Sequence, residues 1–414
     1  MKKNDKNMNI VDYNKDIFKN FGKVITNLET INYAENILKT CAIDFYDKDF
    51  ESKLDSNTNL IGFNNGVFDL NVDNHGNILG FRDGTPDDYI SFSVGYDYIE
   101  YTTDNESVQY IYEYFNKVQI KDHMREYLLK LISSFLIGIN KEQHIYMWTG
   151  TGSNGKSTTT DLMKHTFGEY YGILPISILT KKKNGQFGAT PELADKKGKR
   201  CLLTQEPEQD EGLNIGLLKE MTGNDTMLAR ALYCNPFEYK PQFKIILTCN
   251  KLPPITSNDW GTWRRVKVCP WGSEFVDENP EKENQFLKDS NLINNFKKWA
   301  PVFMSMLLNI YYPKYLKEGL KEPPEVIEHT NNYKKDCDIF NEFYSEFLQK
   351  SNDNKKYILV NDVYIAYHQW VKGYHNIKPN PKKDLINYFE LNKFKVANQK
   401  IYGIEFSDKN NQEM

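Results

Sequence analysis

At 414 residues the chain is long enough for two or three domains with a sizeable core. Its 40% hydrophobic and 26% charged residues are typical of a globular protein. The formal net charge of -4 excludes a wholly basic surface, so any contact with nucleic acid must come from local clusters of lysine and arginine.

The sequence contains no recognisable targeting segment. Its first fifteen residues, MKKNDKNMNIVDYNK, lack the apolar stretch of a signal peptide, and no run approaches the roughly 18 apolar residues of a membrane span. The six cysteines form no C-x-x-C pair or zinc-type cluster, and Cys201, Cys249 and Cys269 lie in apolar runs that predict burial. We therefore expect a reducing, cytoplasmic location without membrane partners, rather than secretion.

Residues 1–140 are predicted to form a mainly helical accessory domain, or collar. Apolar residues at helical spacing up to about residue 60 predict one or two helices. Alternating segments then predict strands, with Asn65 and Gly66 in a turn. The predicted strands are Ile61 to Leu70 and Tyr89 to Tyr98, and the helices after them are 107–118 and 122–137, with Gly138 as a C-cap.

Residues 141–325 are predicted to form an α/β core domain with a parallel sheet, because strand-like and helical runs alternate from about residue 141 to residue 275. The strand candidates are almost continuously hydrophobic, as expected of strands that are buried on both faces. They are Ile145 to Thr149, Cys201 to Gln205, Lys244 to Cys249 and Val266 to Pro270. Two basic loops, Lys181 to Lys183 and Lys196 to Arg200, are expected to lie on the solvated surface.

The segment GTGSNGKS, between the first of these strands and a helix-compatible run, fits the phosphate-binding pattern G-x-x-x-x-G-K-[ST]. Glycines let backbone N–H groups turn around the phosphates, and the helix that opens near Lys156 presents its positive end to the anion. Lys156 is expected to reach the β and γ phosphates of ATP, and Ser157 to coordinate Mg²⁺. The predicted ATP-binding residues are Gly150, Thr151, Gly152, Ser153, Asn154, Gly155, Lys156, Ser157 and Thr158.

A carboxylate follows the second strand, where a triphosphatase needs one to hold Mg²⁺ and to orient the attacking water. Glu206 is predicted to do this work as a catalytic residue and metal ligand. Glu208 is a candidate assistant, but the intervening Pro207 departs from the usual adjacent acidic pair. The division of roles between the two stays open, and an ordinary loop carboxylate is the alternative.

Two further catalytic candidates follow the later strands. Asn250 ends the strand KIILTC, where its side chain can sense the γ phosphate, although an Asn that forms a turn before LPP is the alternative. Arg264 and Arg265 precede the last strand. One of them is predicted to act as an arginine finger in a neighbouring subunit's site, and a structural ion pair is the alternative.

Residues 335–414 predict a small C-terminal module. Helix-like runs at Phe340 to Leu348, Val360 to Val371 and Leu385 to Leu391 precede FKVANQKIYGIEF, which forms two alternating segments around a polar turn. Three helices and a hairpin predict a winged-helix-like domain.

Four segments carry a family resemblance: GTGSNGKST, CLLTQEPE, LLKEMTGNDTMLARALYCNPFEYKPQFKIILTCNKLPP and WRRVKV. Their order and spacing resemble superfamily 3 helicases of the AAA+ class, and most closely the C-terminal helicase half of poxvirus-type primase-helicases from large DNA viruses, phages and plasmids. The likeness covers about residues 60–330. NGVFDL and DDYISF are similar to that family's helicase-associated domain, and Lys219 to Arg230 to its third motif.

The resemblance implies a P-loop AAA+ core and a homo-oligomeric ring, commonly a hexamer, with ATP between subunits. It also implies a hairpin, about Ala229 to Lys240, that projects into a central channel. Arg230, Tyr233 and Lys240 would then contact single-stranded or forked DNA, although ordinary surface charge and hairpin packing are the alternatives.

The resemblance and the site residues together predict an ATP-dependent DNA helicase, with Mg²⁺, in replication of a virus or mobile element. Its place would be the host cytoplasm or a viral replication site. Only some 140 residues precede the phosphate loop, so the chain is a fragment of a longer primase-helicase, a split gene product that works with a separate primase, or a stand-alone helicase. The alternatives are a DNA-packaging or remodelling ATPase, a small-molecule kinase built on a P-loop, and a scaffold with a degenerate ATPase core.

Overall fold

A computed structural model of the chain describes residues 10–180, 190–206, 211–255, 257, 259–375 and 379–407. It contains two compact units, Met1–Ser56 and Asn57–Met414. The described part of the first unit is helical, as predicted, with α1, α2 and α3 at Ile10–Leu28, Ile31–Asp44 and Phe50–Lys53. The domain boundaries predicted at residues 140, 325 and 335 stay predictions.

The second unit begins with an antiparallel sheet in the order β1-β2-β3, followed by two helices. Strands β1 and β2 form the hairpin predicted around Asn65 and Gly66. The strand predicted over Tyr89 to Tyr98 is wrong, because this segment has no strand ladder and its Tyr98 ring stacks on Phe81. Strands β1 to β3 are Leu60–Phe63, Gly66–Val72 and Ile78–Arg82, and helices α4 and α5 are Glu106–Val118 and Asp122–Ser134.

A five-stranded parallel sheet forms the centre of this unit, in the order β10-β4-β9-β6-β5. The four predicted strands are confirmed. The strands β4 to β10 are Ile145–Thr149, Tyr171–Ile173, Cys201–Gln205, Met227–Ala229, Phe237–Tyr239, Lys244–Cys249 and Val266–Pro270, of which β7 and β8 form a separate hairpin. The helices α6 to α10 are Lys156–Phe167, Ile176–Thr180, Pro191–Ala194, Ile215–Thr222 and Trp260–Trp263.

Side chains of the central sheet are buried on both faces, which explains the near-continuous hydrophobicity of its strands. Alternate residues of β4 divide between two cores: Tyr146 and Trp148 pack in one, and Ile145 and Met147 in the other. The first core also contains residues of α4, α5 and α6, and the second contains residues of α9 and the β7–β8 hairpin. Both layers therefore hold the strand ends at fixed positions.

The remaining elements continue from the central sheet to the C-terminus. Helix α13 packs along β10, and Val268 N–H donates to Thr330 Oγ1 (3.0 Å). The pair β11–β12 and helices α11 to α13 are Glu274–Val276, Gln285–Leu287, Phe296–Met306, Tyr312–Glu318 and Pro324–Asp336. No helix in the described parts of the chain is both long and apolar enough to cross a membrane.

The C-terminal module has its own hydrophobic core. Its three predicted helices and the predicted terminal hairpin are present, with two small antiparallel sheets, β13-β17 and β14-β16-β15. The elements α14, β13, β14, α15, α16, β15, β16 and β17 are Ile339–Phe347, Leu348–Lys350, Tyr357–Leu359, Val360–Trp370, Lys382–Leu391, Val396–Ala397, Lys400–Tyr402 and Ile404–Phe406. The winged-helix-like arrangement stays a prediction.

The surface position expected for Lys196 and Arg200 is wrong. Both are buried, and the Arg200 guanidinium donates to the carbonyl oxygens of Thr58 (2.9 Å) and Leu60 (3.2 Å). Gly138 permits this approach, because a Cβ there would lie 1.4 Å from Arg200 Nη1, and the helix predicted to end at residue 137 ends at Ser134. The other basic loop, Lys181 to Lys183, lies outside the described residues.

Lys244, the first residue of β9, is another buried cation. Its ammonium group donates to the carbonyl oxygens of Ser134 (2.7 Å), Ile137 (3.2 Å) and Ile139 (2.7 Å). Burial lowers the pKa of Lys244 to about 7. The side chain thus satisfies carbonyl groups at and beyond the end of α5, and it attaches that helix to the central sheet.

We expect the Lys244→Met substitution to destabilise the protein by about 3 kcal/mol or more, because it leaves three carbonyl oxygens, one buried and two partly buried, without this donor. Chemical unfolding monitored by circular dichroism measures the change. Lys164→Met, at an exposed position of α6, is the matched control and should cost less than about 0.5 kcal/mol. Equal stabilities of the two variants would contradict the bracing role of Lys244.

Candidate functional site

The predicted phosphate loop leaves the end of β4 and leads into α6. Gly152 and Gly155 have φ angles of 96° and 84°, in the left-handed region that glycine adopts without strain. Gly150 is required for space, since a Cβ there would lie 2.5 Å from Trp271 O. The sequence GTGSNGK therefore gives a tight backbone loop at the carboxyl edge of the parallel sheet, in front of the N-terminus of α6.

Lys156 is held inside this loop. Its ammonium group lies 3.2 Å from Gly150 O, 3.1 Å from Asn154 Oδ1 and 3.4 Å from Asn250 Oδ1, and the residue is 6% exposed. Burial lowers the pKa of Lys156. Because all three contacting oxygens are neutral, the ammonium is poised to gain from an anion that enters the loop.

Asn250 and Glu206 lie beside the loop, as expected from their positions at strand ends. Strand β9 runs between β4 and β6, so Asn250 lies between the phosphate loop and Glu206. Thr149 Oγ1 donates to Asn250 O (3.3 Å), and the next amide, Lys251 N–H, donates to Glu206 Oε1 (2.9 Å). The structure thus brings together three predicted catalytic residues that are 94 positions apart at most. Glu208 lies outside the described residues.

The donor chemistry at this edge fits a Mg²⁺ ion. Ser157, at the start of α6, and Glu206 offer a hydroxyl and a carboxylate oxygen, and both residues are exposed. Mg²⁺ prefers hard oxygen ligands and keeps several waters, so an open site with one carboxylate suits it when phosphate oxygens complete the coordination.

A cavity of about 910 Å³ opens next to the phosphate loop. Ser153, Gly155 and Thr158 form its wall on the loop side. Its aromatic lining comes from three separate elements: Tyr110 and Tyr114 lie on α4, Phe275 on β11 and Trp299 on α11. A cavity of this size holds a small organic ligand. Sequence reasoning missed it, because no local pattern unites residues 110, 275 and 299.

The arginine pair lies at the opposite edge of the sheet from the phosphate loop. Ile145 N–H, at the start of β4, donates to Arg265 O (2.8 Å), whereas the loop begins after Thr149 at the other end of that strand. Five strand residues span roughly 16 Å, so neither arginine reaches the loop of its own chain. Arg264 contacts Gln143 Oε1 (2.5 Å) and lies over the exposed Trp260 ring.

An ion pair near the arginines was not predicted. Lys219 Nζ lies 2.8 Å from Asp259 Oδ1, and Asp259 also accepts a hydrogen bond from Thr262 N–H (3.0 Å), which caps the short helix α10 that leads to Arg264. Burial raises the pKa of Asp259, but the hydrogen bonds from Lys219, Ser257 and Thr262 together outweigh it, so that the pKa is lowered. Asp259 therefore connects Lys219, in the segment that resembles the third motif, to the turn that contains the arginines. The pattern D-x-x-T at residues 259–262 could have predicted this helix cap from the sequence.

The segment Ala229 to Lys240, which was predicted to form a hairpin, contains the turn and the second strand of the β7–β8 hairpin. Strands β7 and β8 pair antiparallel with Ala229 opposite Phe237, and residues 230–236 form the tip. Tyr233 is fully exposed (102%) with a φ of 60°, and Arg230 and Lys240 are also exposed. The base is fixed, because the buried Tyr239 donates through its hydroxyl to Leu193 O (2.8 Å). The structure thus places Arg230 and Tyr233 in the exposed tip of an anchored hairpin and the exposed Lys240 directly after its second strand.

Comparisons with known proteins agree with the sequence resemblance. A family model described as a family of unknown function, DUF5906, matches residues 148–265, which include the phosphate loop, Glu206, Asn250 and both arginines. The chain is 42% identical over 380 residues to "Putative helicase L207/L206" of Acanthamoeba polyphaga mimivirus, an alignment that covers 90% of this chain and 39% of that protein.

Two further relatives extend the comparison. The chain is 32% identical to "Putative helicase 022R" of Frog virus 3, over 67% of this chain and 29% of that protein. It is 23% identical to "Putative primase C962R" of African swine fever virus, over 89% of this chain and 39% of that protein. The chain thus spans between 29% and 39% of the length of these relatives. The resemblance found in the sequence is confirmed: the relatives of this chain are large-DNA-virus proteins that carry helicase and primase names.

Proposed function

We propose that this chain is the ATP-hydrolysing motor of a DNA helicase that moves along single-stranded DNA during replication of a virus or mobile element. The observation that carries the proposal is the contact of Lys156 with Asn250, beside Glu206, at the mouth of a glycine-rich phosphate loop. A scaffold protein has no need for a buried ammonium, an amide and a carboxylate at one strand edge. These groups are the ones that hydrolysis of a nucleoside triphosphate requires.

In the proposed reaction the loop amides and Lys156 bind the β and γ phosphates of ATP. Glu206 orients a water and accepts its proton while the water oxygen attacks the γ phosphorus, the bond from that phosphorus to the bridging oxygen breaks, and ADP and phosphate result. Asn250 holds the γ phosphate and the water between Lys156 and Glu206. Mg²⁺, held by Ser157 and Glu206, would neutralise phosphate charge.

The cavity beside the loop is the proposed place of the adenosine. It adjoins Gly155 and Thr158, so a nucleotide whose phosphates occupy the loop can extend its ribose and base into the cavity. The rings of Tyr110, Phe275 and Trp299 offer the flat apolar surfaces that a purine prefers.

The position of the arginines supports a ring in which each site is completed by a neighbour. A residue that cannot reach its own loop can contribute to catalysis only across a subunit contact, and head-to-tail contacts of this kind close into rings. In the proposal Arg264 or Arg265 enters the adjacent subunit's site and stabilises charge on the γ phosphoryl group.

The exposed tip of the β7–β8 hairpin and the helicase names of the relatives favour DNA as the substrate along which the motor moves. Arg230 and Lys240 are available for phosphates and Tyr233 for a base or sugar. A small-molecule kinase has no use for such an element. The relatives are longer than this chain, which spans between 29% and 39% of their length. We therefore include in the proposal either a primase activity elsewhere in a longer protein or a separate primase partner.

We expect Tyr233→Ala to raise about ten-fold the concentration of single-stranded DNA that gives half-maximal stimulation of ATP hydrolysis, because it removes one stacking surface. Hydrolysis without DNA and the thermal unfolding midpoint should not change, since the side chain is fully exposed. Tyr46→Ala, at another exposed tyrosine, is the matched control. Equal DNA stimulation of the Tyr233 variant and the unaltered protein would remove Tyr233 from the DNA contact.

The function itself is tested by ATP hydrolysis measured with and without single-stranded DNA. The proposal predicts hydrolysis that DNA accelerates. A kinase would show no stimulation by DNA and a scaffold no hydrolysis, so either result would reject a DNA motor. A packaging or remodelling ATPase gives the same result as a helicase here and is separated from it only by strand separation.

A further inference from the structure

One face of the small sheet β14-β16-β15 in the C-terminal module is exposed and carries both aromatic and basic side chains. Ile358 and Ile401 point into the module's core, so their neighbours along each strand lie on the opposite face. Tyr357 is 45% exposed there, and Tyr402 is half-buried beside it. The alternation of the sequence therefore puts two tyrosines on the solvent side.

The two tyrosines are direct cross-strand partners. Tyr357 pairs with Tyr402 in the register of β14 and β16, and their ring centroids are 5.7 Å apart. Each ring has a lysine above it: Lys400 Nζ lies 3.7 Å from the Tyr357 centroid, and Lys395 Nζ lies 5.4 Å from the Tyr402 centroid. We call these four residues the tyrosine platform.

The charge around the platform is favourable for a polyanion. Lys355 and Lys393 are exposed at the ends of the chain segments that form it. Among neighbouring carboxylates, Glu405 is engaged by Lys356 (2.5 Å), and Asp353 accepts a hydrogen bond from Lys355 N–H (2.8 Å). The ammonium groups of Lys395 and Lys400 are directed at rings, so they can turn to an anion without breaking an observed ion pair with either of these carboxylates.

We propose that the tyrosine platform is a second binding site for single-stranded DNA, separate from the β7–β8 hairpin. Two adjacent unpaired bases stack on Tyr357 and Tyr402, and Lys395 and Lys400 leave the rings to contact the phosphates. Stacking of a base on an aromatic ring is stronger than an exposed lysine–ring contact, so the exchange is favourable. The choice of DNA over RNA rests on the proposed function, whereas the stacking chemistry does not.

Binding of fluorescein-labelled oligothymidylate to the full chain, measured by fluorescence anisotropy without nucleotide, tests this site. The background is a variant with Arg230, Tyr233 and Lys240 all replaced by alanine, so that the hairpin does not mask the platform. Adding Tyr357→Ala and Tyr402→Ala should weaken binding at least about ten-fold. Adding Tyr357→Phe and Tyr402→Phe instead should retain affinity within about two-fold, because the rings remain.

A second experiment, which removes the positive charges instead of the rings, tests the site even if the alanine variants fold poorly. The slope of log affinity against log salt is negative, and Lys395→Gln with Lys400→Gln should make it less negative by about 1.4. The control pair Lys350→Gln and Lys372→Gln, at exposed positions of the same module outside this sheet, should leave the slope unchanged.

Three results would overturn the platform. They are the absence of binding in the hairpin-deficient background, an equal salt slope for the two lysine pairs, and tighter binding of an RNA oligonucleotide of the same length. Because the binding assay contains no nucleotide, it still measures DNA binding at the platform if the chain does not hydrolyse ATP. Conversely, loss of platform binding leaves hydrolysis without DNA unchanged, so the two failures are distinguishable.

Discussion

Lys156→Ala is expected to reduce ATP hydrolysis about 100-fold or more. The substitution removes the only side-chain ammonium that contacts Gly150, Asn154 and Asn250 in the described site, and with it the charge that, in the proposed reaction, stabilises the β and γ phosphates as the bond breaks. Steady-state phosphate release measures the effect. Affinity for single-stranded DNA without nucleotide should remain largely intact, because the β7–β8 hairpin is a separate element.

Lys164→Ala is the matched control for this substitution, since Lys164 lies on the same helix and is exposed. It should hydrolyse ATP at the rate of the unaltered protein. Thermal unfolding of both variants excludes a collapse of the fold as the cause. Hydrolysis that is undiminished in Lys156→Ala would reject the site assigned to residues 150–158.

Mixing two inactive variants is expected to restore ATP hydrolysis. Arg264→Ala, or Arg265→Ala, keeps a complete phosphate loop and lacks the proposed arginine finger, whereas Lys156→Ala keeps the proposed finger and lacks the loop lysine. In rings assembled at random from equal amounts, about a quarter of the subunit contacts join an intact loop to an intact arginine. Recovery of up to about a quarter of the original rate is therefore expected if the arginines, which lie at the other end of the roughly 16 Å strand β4 from their own loop, act only on a neighbouring subunit.

The unmixed variants, taken through the same dissociation and reassembly, are the controls and should stay inactive. If the arginine that matters acted in its own chain, no mixture would recover activity. If neither Arg264→Ala nor Arg265→Ala reduced hydrolysis, the pair would be structural. The contacts of Arg264 with Gln143 and Trp260 would then be its role in the protein.

Sequence patterns predicted which residues follow the buried strands, because the determinants of those strands are local. A buried parallel strand requires a continuous apolar run, and the residue after such a run lies at the carboxyl edge with its counterparts. Lys156, Glu206 and Asn250 could therefore be grouped without knowledge of the strand order. The order β10-β4-β9-β6-β5, which puts Asn250 next to the loop, could not be predicted, since it depends on helix packing over the whole unit.

The features that were missed depend on contacts between distant segments. Arg200 and Lys244 resemble surface cations in sequence, but their partners are backbone carbonyl oxygens around residues 58 and 137, which carry no side-chain signal. The predicted strand over Tyr89 to Tyr98 failed for a related reason, because its alternating aromatic residues serve ring packing instead of a ladder. The tyrosine platform was visible only as the alternation in KIYGIEF.

A strand-displacement assay on forked DNA tests the central claim most directly. Forks with a 3′ or a 5′ single-stranded tail are incubated with the chain, ATP and Mg²⁺, and Lys156→Ala is the control. We predict that the unaltered chain displaces the labelled strand of one fork in an ATP-dependent manner and that Lys156→Ala displaces none. Rapid, DNA-stimulated ATP hydrolysis without displacement on either fork would contradict a helicase and leave a packaging or remodelling motor.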